Sequence, residues 1–384
     1  NKGIEVHSSE DRLIEVLKSN SIDFVSSLPC DRIKFLLERV KKEFFHVPLT
    51  REEEGVGISA GMALAGKRPA MFVQSSGIGN MINALLSLTG FYELPLAIFV
   101  SQRGIYKEGI AAQFPMGQRL PGILKGAGIP FSMVSTAGDI SIIEKKLPSV
   151  YRKNKIHAFL LSPAVFEETE ARGQRSGARK QETVHALKCP YGNINPALSP
   201  GLTRYKMLEV IAPYLDSKVV VCNLGIPSKE LYALTHQSSN FYMLGSMGMA
   251  TPIGLGISLS TNKEVVVIDG DGSILMNPGT LATAAHLNPP HLTIFAVDNS
   301  SYGSTGEQPT LTVSCVDLAL LARGCGISNV MKAAGKKQLV DAMKGPAHGL
   351  KFIHALALSG NAKVPNIPLH HLEVKNLVME FIAS

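Results

Sequence analysis

Short apolar runs of strand length alternate with helical patterns along two stretches of this chain. In the first stretch the strand-like runs lie at 22–25, 70–73, 96–100 and 158–161. From about residue 200 the alternation resumes, with runs at 219–221, 241–244, 265–268, 292–297 and 352–356. This alternation is typical of a parallel sheet covered by helices, and right-handed crossovers make such a sheet doubly wound. The sequence therefore predicts an α/β fold with two doubly wound parallel-sheet domains.

The segment between the two stretches interrupts this pattern. Residues 166–199 contain neighbouring glutamates, several arginines, glycines and prolines, a composition typical of a linker. We therefore predict a first domain over 1–165, a linker over 166–199 and a second domain over 200–384. The 384 residues suffice for two domains of roughly 150–200 residues each.

Composition and charge exclude several classes of function. The formal net charge is +7, but part of the excess lies within 172–188, and no nucleic-acid motif accompanies it. We expect a small anionic substrate, which a basic protein attracts, and no nucleic-acid partner. No apolar stretch is long enough to span a membrane, and residues 1–5 lack the layout of a signal peptide. With five scattered cysteines, which indicate reduced thiols, we expect a cytoplasmic protein without membrane contact.

The strongest motif is an acidic turn after a buried strand. The run Val265–Ile268 leads into Asp269, Gly270, Asp271, Gly272 and Ser273. Ligands of α/β folds bind at such strand ends, and glycines let backbone N–H groups approach a diphosphate. Asp271 would repel a phosphate, so we expect a divalent cation between them.

A second polar turn follows one helix and one strand later. The run Leu292–Val297 ends in Asp298, Asn299, Ser300 and Ser301, which offer amide and carbonyl oxygens at the same edge of the sheet. Each turn alone is weak evidence, since a Gly-Asp-Gly turn and an Asn-Ser turn could be unrelated. Together, at this spacing, they predict a metal–diphosphate site.

These two turns resemble the thiamine diphosphate signature of the decarboxylase superfamily. The resemblance implies Mg²⁺ bound by Asp271, Asn299 and the Ser301 carbonyl. It also implies that Gly270, Gly272, Ser273, Tyr302 and Gly303 bind the cofactor. The segment 241–248 is similar to the segment that bends the cofactor in the superfamily. This similarity implies that Gly245, Ser246 and Met247 bind the cofactor. Met247 would support the thiazolium ring, although a lone methionine is more often core filler.

Thiamine chemistry also needs a carboxylate hydrogen-bonded to the aminopyrimidine ring, because the protein must help the cofactor to activate itself. Residues 50–62 begin a glycine- and alanine-rich helix with Glu52, Glu53 and Glu54. In the superfamily this glutamate lies nine positions before a glycine, and Glu52 matches relative to Gly61. Glu53 is the alternative if the register is shifted. Otherwise we expect Glu53 and Glu54 to complement the helix dipole.

The absence of a third domain between the halves narrows the resemblance to the compact decarboxylases of sulfopyruvate and phosphonopyruvate. Residues 73–88, 113–118 and 302–306 are similar to this family, with Ser75 in place of a more usual asparagine. The first half resembles an α subunit and the second a β subunit. The resemblance implies decarboxylation of 3-sulfopyruvate to sulfoacetaldehyde, as in coenzyme M biosynthesis of methanogenic archaea. Phosphonopyruvate decarboxylation is the alternative, and a non-catalytic diphosphate-binding sensor, which would not need Glu52, is a third.

Such a substrate has two anionic groups that the protein must bind. Arginine favours bidentate anion recognition, so Arg103 and Arg119 are candidates for the sulfonate or phosphonate. Gln74, Ser76 and Asn80 are candidates for the carboxylate. Each of these residues could instead be an ordinary surface residue. The resemblance also implies a homo-oligomer whose active sites lie between a pyrimidine-binding and a diphosphate-binding domain.

Overall fold

The computed structural model describes residues 8–166, 198–344 and 349–384. The chain divides into two compact units. The first contains Asn1–Gly55 and Lys67–Lys188, and the second contains Val56–Gly66 and Cys189–Ser384. Most of the predicted linker lies outside the described residues, so the linker and the domain bounds stay predictions.

The first unit is built on a six-stranded parallel sheet with strand order β2-β1-β3-β4-β6-β5. Its strands are β1 (Phe24–Ser27), β2 (Phe45–Pro48), β3 (Pro69–Gln74), β4 (Leu96–Ser101), β5 (Phe131–Val134) and β6 (Ile156–Leu161). The helices described in this part of the chain are α1 (Ser9–Ser19), α2 (Lys34–Glu43), α3 (Glu52–Leu64), α4 (Ser75–Ala84), α5 (Phe114–Gly126) and α6 (Ile140–Arg152).

The carboxyl ends of β3 and β4 lie side by side, because Gln74 pairs with Ser101 in the parallel register. Helix α4 begins directly after β3. The Ser75 hydroxyl donates to the Ser101 carbonyl at 3.2 Å and accepts from the backbone N–H of Arg103 at 2.9 Å. Ser75 therefore joins the start of α4 to the end of β4, and it is completely buried.

The second unit contains another six-stranded parallel sheet, with strand order β13-β14-β10-β9-β7-β8. Its strands are β7 (Val219–Cys222), β8 (Asn240–Tyr242), β9 (Val265–Gly270), β10 (Leu292–Asp298), β13 (Asn329–Ala333) and β14 (Lys351–Leu356). A separate antiparallel pair is formed by β11 (Ser301–Tyr302) and β12 (Gln308–Pro309). The helices described after residue 198 are α7 (Arg204–Ile211), α8 (Ile226–Leu234), α9 (Ala250–Ser258), α10 (Asp271–Met276), α11 (Gly279–Leu287), α12 (Leu318–Gly324), α13 (Lys336–Lys344) and α14 (His371–Ala383).

The two sheets have the same topology. Ranked by their place along the chain, the strands of each sheet are arranged as second, first, third, fourth, sixth and fifth. In the second sheet, β9 and β10 are adjacent and Gly270 pairs with Val297. The turns that contain Asp271 and Asn299 therefore emerge at the same edge of this sheet.

The prediction of two parallel-sheet α/β domains is confirmed. The edge strands β2, β5 and β13 and the short pair β11–β12 were not predicted. Among the described helices, none has the length and apolar character that crossing a membrane would require.

Candidate active site

A cavity of ≈ 150 Å³ lies at the carboxyl ends of β9 and β10 in the second unit. Most of the residues predicted to bind a cofactor line it, namely Met247, Gly270, Asp271, Gly272, Ser273, Asn299, Ser301, Tyr302 and Gly303. The other two, Gly245 and Ser246, precede Met247 in the chain. The structure thus gathers residues from three separate turns around one cavity.

Asp271 is a buried carboxylate without a cationic partner in the described part of the chain. Its Oδ2 atom accepts hydrogen bonds from the hydroxyls of Thr310 and Thr312, the latter at 3.0 Å. Burial raises the pKa of Asp271, and the nearby Asp298 carboxylate adds to this rise. A buried carboxylate with only neutral partners is costly, and a bound cation would remove that cost.

A hydrogen bond from the amide nitrogen of Asn299 orients its side chain. Its Nδ2 atom donates to the Ser301 hydroxyl at 3.1 Å, which leaves the amide oxygen as the atom suited to a cation. The intervening Ser300 has a positive φ of 53°, and its backbone N–H donates to Asp298 Oδ1 at 3.0 Å. The tight turn after β10 therefore brings Asn299 and Ser301 to the cavity that Asp271 also lines.

A chain of titratable residues, buried at Asp298 and His354 and half-buried at Asp317 and Lys332, contacts this turn. Asp298 Oδ2 contacts His354 Nε2 at 2.8 Å, and His354 Nδ1 lies 3.6 Å from Asp317 Oδ1. Burial acts to lower the pKa of His354, but its hydrogen bonds to Asp298 and Asp317 raise it overall. Asp317 in turn pairs with Lys332.

The supporting residues of the turn were not found by sequence reasoning. Thr310, Thr312 and Asp317 lie within residues 310–317 and His354 lies on β14, and none belongs to a local motif. No sequence signal separates them from ordinary threonine, histidine or aspartate residues.

The wall formed by Tyr302 and Gly303 is held by close contacts. A Cβ placed on Gly272 would lie 2.3 Å from the Tyr302 ring, so this ring packs directly on the glycine. The Gly303 carbonyl accepts from Asn361 Nδ2 at 2.7 Å. Asn361 Oδ1 accepts from Arg204 at 2.8 Å, and Arg204 is paired with the buried Glu230 at 2.7 Å. This network, also unforeseen from the sequence, fixes one side of the cavity.

The turn that contains Met247 has an unusual backbone. Ser246 and Gly248 have positive φ values of 60° and 90°. The Gly248 N–H donates to the Ser273 hydroxyl at 3.1 Å, which ties this turn to the start of α10. Met247 itself is half-buried and lines the cavity, so it is available to a bound molecule and is not core filler.

Glu52 begins α3 and is only 4% exposed. Its Oε2 atom accepts from Asn80 Nδ2 at 3.0 Å. Its Oε1 atom lies against Gly77, where an added Cβ would come within 2.6 Å. A buried carboxylate therefore stands beside the first turns of α4.

The neighbouring glutamates have other partners. Glu53 lies near Arg51, 3.7 Å away, and its environment is more exposed than that of Glu52. Glu54 is buried, and its Oε1 atom accepts from the Thr50 N–H and hydroxyl at 2.5 and 2.7 Å. Glu54 therefore stabilises the turn before α3 through hydrogen bonds, in addition to any effect on the helix dipole.

The predicted substrate residues occupy several environments in the first unit. Gln74 and Ser76 are half-buried on either side of Ser75. Arg103 is buried and forms a bidentate pair with Glu108, at 2.7 and 2.9 Å. Arg119 is exposed on α5 and donates to the Pro115 carbonyl at 3.1 Å.

Comparisons with known proteins identify the family. The domain described as "Thiamine pyrophosphate enzyme, N-terminal TPP binding domain" matches residues 8–120, and its C-terminal counterpart matches residues 227–354. The chain is 42% identical over 367 residues to the sulfopyruvate decarboxylase of Methanosarcina acetivorans, with 95% of each chain covered. The chain belongs to the sulfopyruvate decarboxylase family of thiamine pyrophosphate enzymes.

Other members of this family extend the comparison. The phosphonopyruvate decarboxylase of Streptomyces hygroscopicus is 31% identical, over 88% of this chain and 86% of its own length. In Methanocaldococcus jannaschii, sulfopyruvate decarboxylase has separate subunits: α is 39% identical over 41% of this chain, and β is 42% identical over 46%. The subunit matches cover 94% and 97% of those proteins.

A solved structure shows the same fold. The benzoylformate decarboxylase of Polynucleobacter necessarius superposes with a TM-score of 0.70 at 14% identity, covering 94% of this chain and all of that one. The solved structure and this chain share a fold. The relatives and the two domain matches show that this chain is a decarboxylase with thiamine diphosphate-binding domains.

Proposed function

We propose that this chain decarboxylates 3-sulfopyruvate without oxidation, giving sulfoacetaldehyde and carbon dioxide, with thiamine diphosphate and Mg²⁺ as cofactors. The proposal rests on the observation that a member of this family has a buried Glu52 and also a buried Asp271, whose side-chain hydrogen-bond donors among the described residues are the hydroxyls of Thr310 and Thr312. The sulfonate substrate is inferred from the relative of Methanosarcina acetivorans, which is more similar than the phosphonopyruvate decarboxylase.

The donor set beside the cavity fits Mg²⁺. Asp271 supplies a carboxylate, Asn299 an amide oxygen and Ser301 a main-chain carbonyl, and oxygen ligands are those that Mg²⁺ prefers. The cation would also balance the charge of Asp271 in its buried setting. The backbone N–H groups of Gly270 and Gly272 would approach the diphosphate without steric hindrance from side chains.

When bound, thiamine diphosphate supplies the electron sink that accepts the electron pair left when carbon dioxide departs. The chain's own residues bind and orient the reactants. Glu52 would hold a proton at its carboxylate oxygens next to the aminopyrimidine ring. Met247 would pack against the ring system, and the wall of Tyr302 would limit access of water to the cavity.

Binding of the substrate anion is a further part of the proposal. Gln74 and Ser76 would contact the substrate carboxylate. Arg119, an exposed cation, would bind the sulfonate. Arg103 would bind an anion only after Glu108 has moved, because the carboxylate of Glu108 engages its guanidinium.

The remaining expectations from the resemblance also belong to this proposal. They are a homo-oligomeric state, a cytoplasmic location and a role in coenzyme M biosynthesis of an archaeon. Phosphonopyruvate decarboxylation is the second candidate, favoured by the similarity to the Streptomyces enzyme over most of both chains. A sensor is disfavoured, because binding a diphosphate gives no reason to bury Glu52.

An aldehyde assay with purified protein, thiamine diphosphate and Mg²⁺ tests the substrate. We expect turnover of sulfopyruvate to exceed that of phosphonopyruvate and pyruvate. Turnover of phosphonopyruvate alone would overturn the sulfonate assignment.

Glu52→Gln tests the catalytic role. We expect this variant to bind the cofactor normally and to lose about a hundredfold or more in turnover, the usual contribution of acid–base catalysis. Glu53→Gln is the matched control, and a loss confined to that variant would assign the role to Glu53.

A further inference from the structure

The side chain of Asn80 contacts the buried acid from the surface of the first unit. Asn80 lies in the second turn of α4 and is exposed, whereas Glu52 is almost fully buried. Its Nδ2 atom donates to Glu52 Oε2 at 3.0 Å. In the described part of the chain, Asn80 is the one side chain that is hydrogen-bonded to Glu52.

The hydrogen bond from Asn80 restricts the terminal torsion of the Glu52 side chain. The terminal carboxylate torsion of a glutamate has broad minima, so a carboxylate without a partner rotates readily. Asn80 fixes the position of one oxygen, and the other lies against Gly77. The plane of the Glu52 carboxylate is thereby set by two residues of α4.

The chemistry of the donor matters as well as its position. An asparagine amide is neutral, so it orients the carboxylate without neutralising it. A lysine or arginine here would form an ion pair and favour a permanently deprotonated acid. A neutral donor is therefore compatible with a carboxyl group that must gain and lose a proton.

We propose that Asn80 is a positioning residue, which orients the Glu52 carboxylate toward the aminopyrimidine ring of thiamine diphosphate. This inference rests on the proposed function. It gives Asn80 a role through Glu52 in place of direct contact with the substrate carboxylate. Asn80 then affects activation of the cofactor before any substrate binds.

Asn80→Ala tests this role with a readout that does not need substrate. The rate of hydrogen–deuterium exchange at C2 of the thiazolium ring, measured by acid quench and NMR, reports cofactor activation on the holoenzyme. Loss of a hydrogen bond to a charged group should slow this exchange by about tenfold to a hundredfold. The Kd for thiamine diphosphate should stay near that of the unmodified protein.

Asn83→Ala is the matched control, since Asn83 is an exposed asparagine one turn further along α4. We expect it to exchange at the unmodified rate. Asn80→Asp keeps the size of the side chain but replaces the donor with a second carboxylate, which repels that of Glu52, so it should slow the exchange at least as much. This variant decides the question if Asn80→Ala proves unstable in a thermal melt.

A double-mutant cycle separates positioning from a general structural effect. If Asn80 acts through Glu52, Asn80→Ala should cause no further loss in a Glu52→Gln background. A full additional loss would overturn the inference, as would normal exchange in Asn80→Ala combined with a raised KM for substrate.

The Glu52→Gln variant also shows which proposal fails. If Glu52→Gln exchanges slowly and Asn80→Ala normally, only the role of Asn80 is wrong. If Glu52→Gln itself exchanges at the unmodified rate, the role of Glu52 in the proposed function is wrong, and that of Asn80 with it.

Discussion

Three consecutive glutamates at the start of α3 have three different environments. Glu52 is buried beside Asn80, Glu53 lies near Arg51, and Glu54 accepts from the turn at Thr50. Glu54 cannot easily serve the cofactor, because its carboxylate already accepts hydrogen bonds that stabilise the helix start. The geometry therefore favours Glu52 on grounds independent of its spacing from Gly61.

The close approach of Gly77 to Glu52 leads to a prediction about glycine. Gly77→Ala should displace the carboxylate, because the new methyl group would lie 2.6 Å from Oε1. A misplacement of about 1 Å in a reacting group can cost about a hundredfold in rate, so we expect a loss of that order in turnover. Steady-state kinetics with saturating cofactor measure it.

Gly79→Ala is the control for this substitution. Gly79 lies in the same helix, and its added methyl group would meet only the Met116 side chain at 3.7 Å, an ordinary contact. We expect unchanged turnover and a slightly more stable helix, because alanine is favoured over glycine there. Equal losses in both variants would show that α4 tolerates no substitution, which would contradict a specific role for Gly77.

The sequence predicted residues of the site where they belong to a motif. The turns at Asp271 and Asn299 were found because glycines, acids and strand ends are local features, and these residues line one cavity. Thr310, His354 and Asn361 were not found, since they approach the site only after folding. Arg103 was proposed for its charge, but sequence could not reveal that Glu108 engages it.

At the scale of strands, burial decides what could be predicted. The central strands β3, β4, β9 and β10 are buried on both faces and appear as continuous apolar runs. The edge strands β2, β5 and β13 are partly exposed, so they lack such runs and were missed. The central strands position the site, which is why the site was more predictable than the sheet edges.

The segment between β4 and α5 depends on one buried ion pair. Glu108 accepts from Arg103 and from the backbone N–H groups of Gly104 and Ile110, and the Arg103 hydrogen bonds lower the pKa of Glu108 to about 2. Glu108→Gln would leave the Arg103 charge buried without its partner. We expect a loss of about 3 kcal/mol in the free energy of unfolding at neutral pH, measured with urea.

The same pair should give a defined pH dependence. Because the pKa of Glu108 is lower in the folded state, its stabilisation is complete above the ordinary value of 4.5 and is lost as the pH falls toward 2. The difference between the Glu108→Gln variant and the unmodified protein should therefore shrink below about pH 4.5. A difference that stays constant through this range would contradict an ionic role. The exposed pair of Glu43 with Lys18 is the control, and Glu43→Gln should have little effect at neutral pH.

The wall beside Gly303 depends on a network that links several elements. Asn361→Ala removes the hydrogen bond to the Gly303 carbonyl and the acceptor for Arg204. We expect the affinity for thiamine diphosphate to fall about five- to tenfold, as for loss of one hydrogen bond. Isothermal titration calorimetry measures this affinity. Asn366→Ala, in the same exposed segment, should leave the affinity unchanged. Equal affinities in both variants would show that Asn361 does not support cofactor binding.

At the scale of the whole molecule, the two units supply different chemistry. The first contains the buried acid Glu52, and the second contains the turns at Asp271 and Asn299, which we propose to bind the cation. The relatives that exist as separate α and β subunits each match about half of this chain. The fold is divided in the same way, because each half contains a six-stranded sheet with the same strand order.

A crystal structure of the protein with thiamine diphosphate and Mg²⁺ tests this division most directly. We predict a cation about 2.0–2.1 Å from oxygens of Asp271, Asn299 and Ser301. We also predict that the carboxylate of a Glu52 lies within about 3 Å of the aminopyrimidine ring of the same cofactor. A cofactor bound without a cation at Asp271, or with its ring far from every Glu52, would show that the proposed site is wrong.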